Sequence, residues 1–227
     1  MPQIDFDGAN SLVKTDKIQG QSGTTVTVPT SHTLAITDAD RLTIAGTAVK
    51  AGALGGLVFL ASATASASAA IEFTSGITST YSNYVFMLKN VRPATNAQDF
   101  YFQVSSDGGS SWLTGYYGAC AGYDGSVTLR SAGFTAASYF TLADSVHNGT
   151  GIGVGGPLYL IDPSDANTLP LIRWDFVTIT SIGSVYAMGQ SGGGNRNSAA
   201  AVNAVRFSFA SGNIADGEIR MYGIKDS

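Results

Sequence analysis

Two histidines, one cysteine and a scatter of acids are the residues of this chain that could do chemistry. His32 and His147 stand more than a hundred residues apart, and no GxSxG elbow offers either one a serine nucleophile. Both lie among turn residues and read as solvated loop histidines. Asp107, Asp124, Asp144, Asp162, Asp165 and Asp216 also sit in turn contexts, where a carboxylate bonds its own following backbone. Glu72 and Glu218 are the only glutamates. Glycoside hydrolysis needs two carboxyls flanking the scissile bond, and no spacing here sets two acids on one face. The run GIGVGG at 151–156 formally contains GxGxxG, but Pro157-Leu158-Tyr159-Leu160 follows it. A dinucleotide fingerprint needs a helix there to meet the phosphate, so this run reads as a flexible loop. Asp162-Pro163-Ser164-Asp165-Ala166-Asn167 could offer oxygens to calcium, yet it lacks the twelve-residue loop pattern and reads as a turn. The expectation is no catalytic residue, no metal and no cofactor.

Cys120 stands alone, which excludes an intrachain disulfide and any multi-cysteine metal site; it reads as a small buried residue. Tyr116, Tyr117, Tyr123, Tyr139 and Tyr186 lie in or beside loops. Tyrosines so placed can stack on sugar rings, or cap a core with the hydroxyl in water. Tyr116, Tyr117 and Tyr123 are the candidate glycan contacts. Arg173 and Asp175 point the same way on one strand, which fits an ion pair near an interface.

The elements that must position these residues are strands. Residues 84–117 read YVFMLKNV, then RPATNAQD, then FYFQVSSDGGSSWLTGYY. Phe100, Phe102 and Val104 alternate with Tyr101, Gln103 and Ser105, the period of two of a half-buried strand. Pro93 lacks a ladder donor and opens a loop that runs to Gln98. Asp107-Gly108-Gly109-Ser110 is a tight-turn signal, after which Trp112 opens the expected return strand. Short strands are predicted at 127–129, 138–142 and 158–161, and a long one at 171–180 that returns as VYAMGQ. A glycine-rich loop at 191–195 precedes AVRFSFA, and a turn over 211–217 leads into EIRMYGI. No segment holds a helical period over three turns. The predicted class is all-β: an antiparallel jelly-roll-like β-sandwich over residues 57–227.

Ahead of the sandwich, apolar pairs recur every eight residues. Val26 and Val28, Leu34 and Ile36, Leu42 and Ile44 each flank one polar position and are bounded by turn residues. One such strand buries too little to stand alone, so a ladder of them needs a partner surface. Either three chains wrap residues 1–50 into a short-strand repeat stem with these six side chains inside, or the strands form a meander laid on the following domain. Residues 51–56, with Gly52, Gly55 and Gly56, read as a linker. The Ala/Ser run that follows Leu60 reads as a strand.

Composition bounds the role. Charged residues are 12% of the chain, about half the usual share. The 11 Phe and 10 Tyr residues argue for a packed core rather than disorder. With a net charge of −4 and no basic stripe, a nucleic-acid partner is not expected. The longest apolar run, 53–61, is too short to span a bilayer, and MPQIDFDGANSLVK carries no basic or apolar signal region. Synthesis in a cytoplasm with no membrane insertion is the expectation.

Three stretches carry a resemblance: SLVKTDKIQGQSGTTVTVPTSHTLAITDADRLTIAGTAV, DFYFQVSSDGGSSW and SGNIADGEIRMYGI. Together they resemble the virion structural proteins of tailed bacteriophages, especially short fibres and surface decorations of marine and cyanobacterial phages. The resemblance implies a homotrimer in the virion, attached to other virion proteins through its N-terminal region. It implies a β-sandwich head that presents itself to the host surface, including host glycan, and no catalytic residues. A capsid decoration or head fibre, and a glycan-binding or glycan-degrading tailspike head, are the alternatives. The chain is short for a long tail fibre and has no extended repeat shaft.

Overall fold

A computed structural model describes residues 43–44, 47–48, 56–125, 127–181 and 185–225. The chain divides into two units, residues 1–51 and 52–227. In the first, strands β1 (Thr43–Ile44) and β2 (Thr47–Ala48) pair antiparallel, Thr43 opposite Ala48 and Ile44 opposite Thr47. The other expected stem positions, Val26, Val28, Leu34, Ile36 and Leu42, lie outside the described residues.

The second unit is all-β, and none of its described residues is helical. Its strands are β3 (Leu57–Ser68), β4 (Ile71–Phe73), β5 (Asn83–Pro93), β6 (Gln98–Ser105), β7 (Tyr116–Asp124) and β8 (Leu129–Ala137). They continue as β9 (Phe140–Val146), β10 (Val154–Ile161), β11 (Leu171–Thr180), β12 (Tyr186–Arg196), β13 (Ala204–Phe209) and β14 (Ile214–Ile224). These twelve antiparallel strands join in one nearly closed, barrel-like sheet. One wall runs β3-β14-β5-β10-β11-β12-β7-β8 and the other β9-β6-β13-β4. Their link is narrow: β11 pairs β10 and β12 along most of its length, but meets β9 only at Thr180 opposite Val146.

The alternation in β11 shows how the sequence fills the space between the walls. Ile172, Trp174, Phe176, Thr178 and Thr180 point inward and are buried, while Leu171, Arg173, Asp175 and Val177 face out. Phe86 of β5 crosses to the opposite wall, its ring 5.6 Å from Phe73, 6.5 Å from Phe102 and 5.5 Å from Phe207. Tyr116 of β7 meets Phe140 of β9 at 4.3 Å, extending the core beneath the strands β12, β7 and β8 added beyond β11. Each such buried ring contributes about 1.5–3 kcal/mol by leaving water, with up to about 1 kcal/mol more from pair geometry.

Several local expectations change against the structure. Residues 191–195, expected as a glycine-rich loop, lie inside β12 and pair on both edges with β11 and β7. Trp112 does not open the return strand, which begins at Tyr116. Val127 sits in a turn at φ +62°, and the strand there starts at Leu129. Val154 already begins β10, so the GIGVGG run is half loop and half strand. The strand over the Ala/Ser run and that over 171–180 match their expectations.

Candidate functional site

The outer face of the β4–β13–β6–β9 wall gathers the polar and aromatic groups. Because Phe100, Phe102 and Val104 point in, Asp99, Tyr101 and Gln103 of β6 must point out. In the same way β13 buries Val205, Phe207 and Phe209 and turns Arg206 and Ser208 outward. Register then fixes two rows: Glu72, Arg206 and Gln103 across three strands, and Ser208, Tyr101 and Thr141 beside it.

Arg206 donates its Nε to Gln103 Oε1 at 3.2 Å, with its Nη2 close on the same oxygen. Its guanidinium lies 4.7 Å from the centroid of the Trp112 ring, a cation–π contact. Gln103 in turn donates Nε2 to the Ser138 carbonyl at 3.0 Å, which holds the chain beside Tyr139. Tyr139 stacks on Tyr101 with centroids 4.6 Å apart and planes 12° from parallel. Glu72, Tyr101, Tyr139, Arg206 and Ser208 line a depression of about 270 Å³.

A string of polar groups leaves this depression along β6 and β9. The Tyr101 hydroxyl and the Asp144 side chain both stand close enough to Asp99 to act on its carboxyl. Ser145 braces both, its backbone N–H donating to Asp99 Oδ1 and its hydroxyl to Asp144 Oδ1, each at 3.0 Å. Burial pushes the Asp99 carboxyl above its ordinary pKa; the Asp144 hydrogen bond and charge add to this, while the Ser145 N–H opposes it. Burial and the Asp99 charge likewise raise the Tyr101 hydroxyl.

This pair corrects the expectation that no two acids share a face. Carboxyls near enough to act on each other in this way are nonetheless closer than the roughly 5 Å that even a retaining glycosidase needs between its acid and nucleophile. The flat Tyr101–Tyr139 stack, with donors and acceptors around it, is suited instead to hold a sugar ring by its C–H face and its hydroxyls. Among the described residues, no group of three His, Cys, Asp or Glu side chains could hold a metal ion.

The tyrosines picked from sequence fall elsewhere. Tyr116 is fully buried: its hydroxyl accepts the Val104 N–H at 3.0 Å, and burial pushes its pKa up to about 12. It is a core residue and has no ring face to offer a glycan. Tyr117 and Tyr123 are exposed on β7, on the eight-stranded wall, and take no part in the Tyr101–Tyr139 depression. Cys120 is buried and its thiol pKa is raised by that burial. His147 accepts the Gly149 N–H at Nδ1 (2.8 Å), and Asp165 accepts the Asn167 N–H at 2.8 Å, both local turn bonds. Asp175 takes the Ser191 hydroxyl at 2.8 Å.

Tyr101 and Arg206 were visible in sequence on the outward side of two alternating strands, whereas Asp99 preceded the first of them as read there. Their partners, Asp144 of β9 and Tyr139 in the bend just before it, come from a segment whose pairing no local pattern announces. Comparison of the chain with protein-family models, curated proteins and solved structures finds no match.

Proposed function

We propose that this chain is a non-enzymatic binding protein whose sandwich head contacts glycan through the Tyr101–Tyr139 face. The stacked tyrosine pair, ringed by Glu72, Arg206 and Ser208 in one depression, is the observation that carries this reading. A jelly-roll description of the head is supported by strand order. With the β7–β8 and β11–β12 hairpins set aside, the walls read β3-β14-β5-β10 and β4-β13-β6-β9. The chain crosses between them at each connection except β6 to β9, as two nested Greek keys require.

The wider proposal is a virion appendage: a short homotrimeric fibre of a tailed phage, anchored through residues 1–50 and presenting the head to the host surface. The eight-residue period and the phage-like stretches support it. So does an apolar patch on the outer face of the eight-stranded wall, where Leu57 is 54% exposed, Phe59 57% and Leu171 45%. A patch this apolar on an antiparallel sheet suits contact with another copy of the chain. Arg173 and Asp175, neighbours on that face, give such a contact a self-complementary pair of charges.

The test is capture of host surface polysaccharide by the purified full chain. Wild type is expected to bind and to release no shortened chains. Tyr139→Ala is expected to weaken binding by about tenfold, the worth of one aromatic stack, with Tyr123→Ala unchanged. Absence of binding, or equal loss in Tyr123→Ala, removes the reading; shortened chains overturn its non-enzymatic part.

A further inference from the structure

Asp144 also lines a second cavity, of about 220 Å³, between β9 and the added strands. Its other walls are Cys120 of β7, Gln190 of β12, and Arg130, Ser131 and Ala132 of β8. Register explains the space. Gln190 lies opposite Gly122, and Gly122 lies opposite Arg130, so the two long side chains share a row with no side chain between them. Arg130 is fixed there by Asp124, whose nearly inaccessible carboxylate accepts its Nε at 3.0 Å and balances its charge.

Gln190 is only 2% exposed, and its Oε1 has no hydrogen-bond partner. A buried acceptor left unmet is costly and rare in a native fold, so it points to something that fills the cavity. The lining offers acceptors in Gln190 Oε1 and the Asp144 carboxylate, and a donor in the Arg130 guanidinium. Hydroxyl groups donate to the first set while accepting from the second. Cys120 and Ala132 supply apolar surface for ring C–H groups. The volume corresponds to roughly seven water molecules and is smaller than a drug-sized pocket, enough for one ring. Ser131 and Ala132 are exposed, so the cavity opens along β8.

We infer that this cavity binds a single sugar ring or a polyol of similar size. It is a separate site from the tyrosine face, and either can fail without the other. The test follows the Gln190 side-chain amide by nuclear magnetic resonance in the ¹⁵N-labelled full chain, with the backbone amides of Cys120 and Arg130 as the reporters that every variant retains. Glucose, galactose and N-acetylglucosamine are titrated singly, with sodium chloride as the blank. At least one sugar is expected to shift that amide saturably. Gln190→Leu should weaken this binding about tenfold, the loss of one buried hydrogen bond. Ala132→Leu should abolish it by filling the cavity, and Tyr139→Ala should leave it unchanged. Non-saturating shifts with all three sugars would mean that water alone satisfies Gln190, and would overturn the inference without touching the tyrosine face. Saturable binding that survives Gln190→Leu and Ala132→Leu, or vanishes in Tyr139→Ala, overturns it equally. The wild-type titration decides the first point whether or not the variants fold.

Discussion

Asp99 and Asp144 are both bonded by Ser145, and burial, with Asp144 beside it, sets the protonation of Asp99. Asp99 is pushed toward its protonated form by burial first and by Asp144 next. A carboxyl whose folded pKa lies above its unfolded value favours folding fully below the unfolded value. That contribution is lost as pH rises through the folded pKa. At neutral pH the ionised, partly buried Asp99 therefore weighs against the fold. Asn at this position keeps an oxygen for the Ser145 N–H and brings an amide donor for Asp144. Asp99→Asn is expected to melt above wild type at neutral pH and to lose that advantage near about pH 3. Thermal melts at both pH values check it; an Asn variant less stable at neutral pH would mean that the carboxylate is held charged. Tyr101 should keep its stack on Tyr139 in this variant, because the ring contact does not pass through Asp99.

At the scale of elements, β12 shows both what the sequence told and what it hid. Ser191-Gly192-Gly193-Gly194 reads as a loop because nothing local says why a strand would carry three glycines in a row. The reason lies across the sheet. A Cβ on Gly192 would collide with the Trp174 indole and stand 2.9 Å from the Ala119 carbonyl, and one on Gly194 would strike the Tyr117 carbonyl. Glycine lets β12 pass between β11 and β7 over large inward side chains. Gly192→Ala is expected to cost about 1–3 kcal/mol in denaturant unfolding by forcing Trp174 aside. Gly189→Ala, with nothing within 4 Å of its added carbon, should stay near neutral. Equal effects at the two positions would remove close approach as the explanation. Elsewhere period two was enough: it predicted β11 and β13, and the glycines at φ +71° and +87° occupy the turn expected at 107–110. What period two cannot carry is register between strands far apart in the chain. That register brings Asp99 to Asp144 and Gln190 to Arg130, and it left the site unread.

For the whole molecule the open quantity is how many copies share a surface. Leu57, Ile224, Asn83, Ile161 and Leu171 fall in register across five strands, with Phe59, Tyr222, Val85, Tyr159 and Arg173 in the next row. Phe59 and Tyr222 pack edge to face at 5.6 Å, which stiffens the patch. Leaving it in water forgoes a large hydrophobic gain, and a charge buried at its centre would cost several kcal/mol per chain. Solution mass measurement is expected to give three times 23.4 kDa, about 70 kDa. Leu171→Glu should reduce that to the mass of a single chain while β circular dichroism is kept. Thr64→Glu, on a polar part of the same face, should not. A single-chain mass for wild type would overturn the trimer outright. A trimer that survives Leu171→Glu but is lost in Ile36→Asp would instead assign assembly to residues 1–50 and leave the apolar patch for the virion protein on which the appendage is mounted.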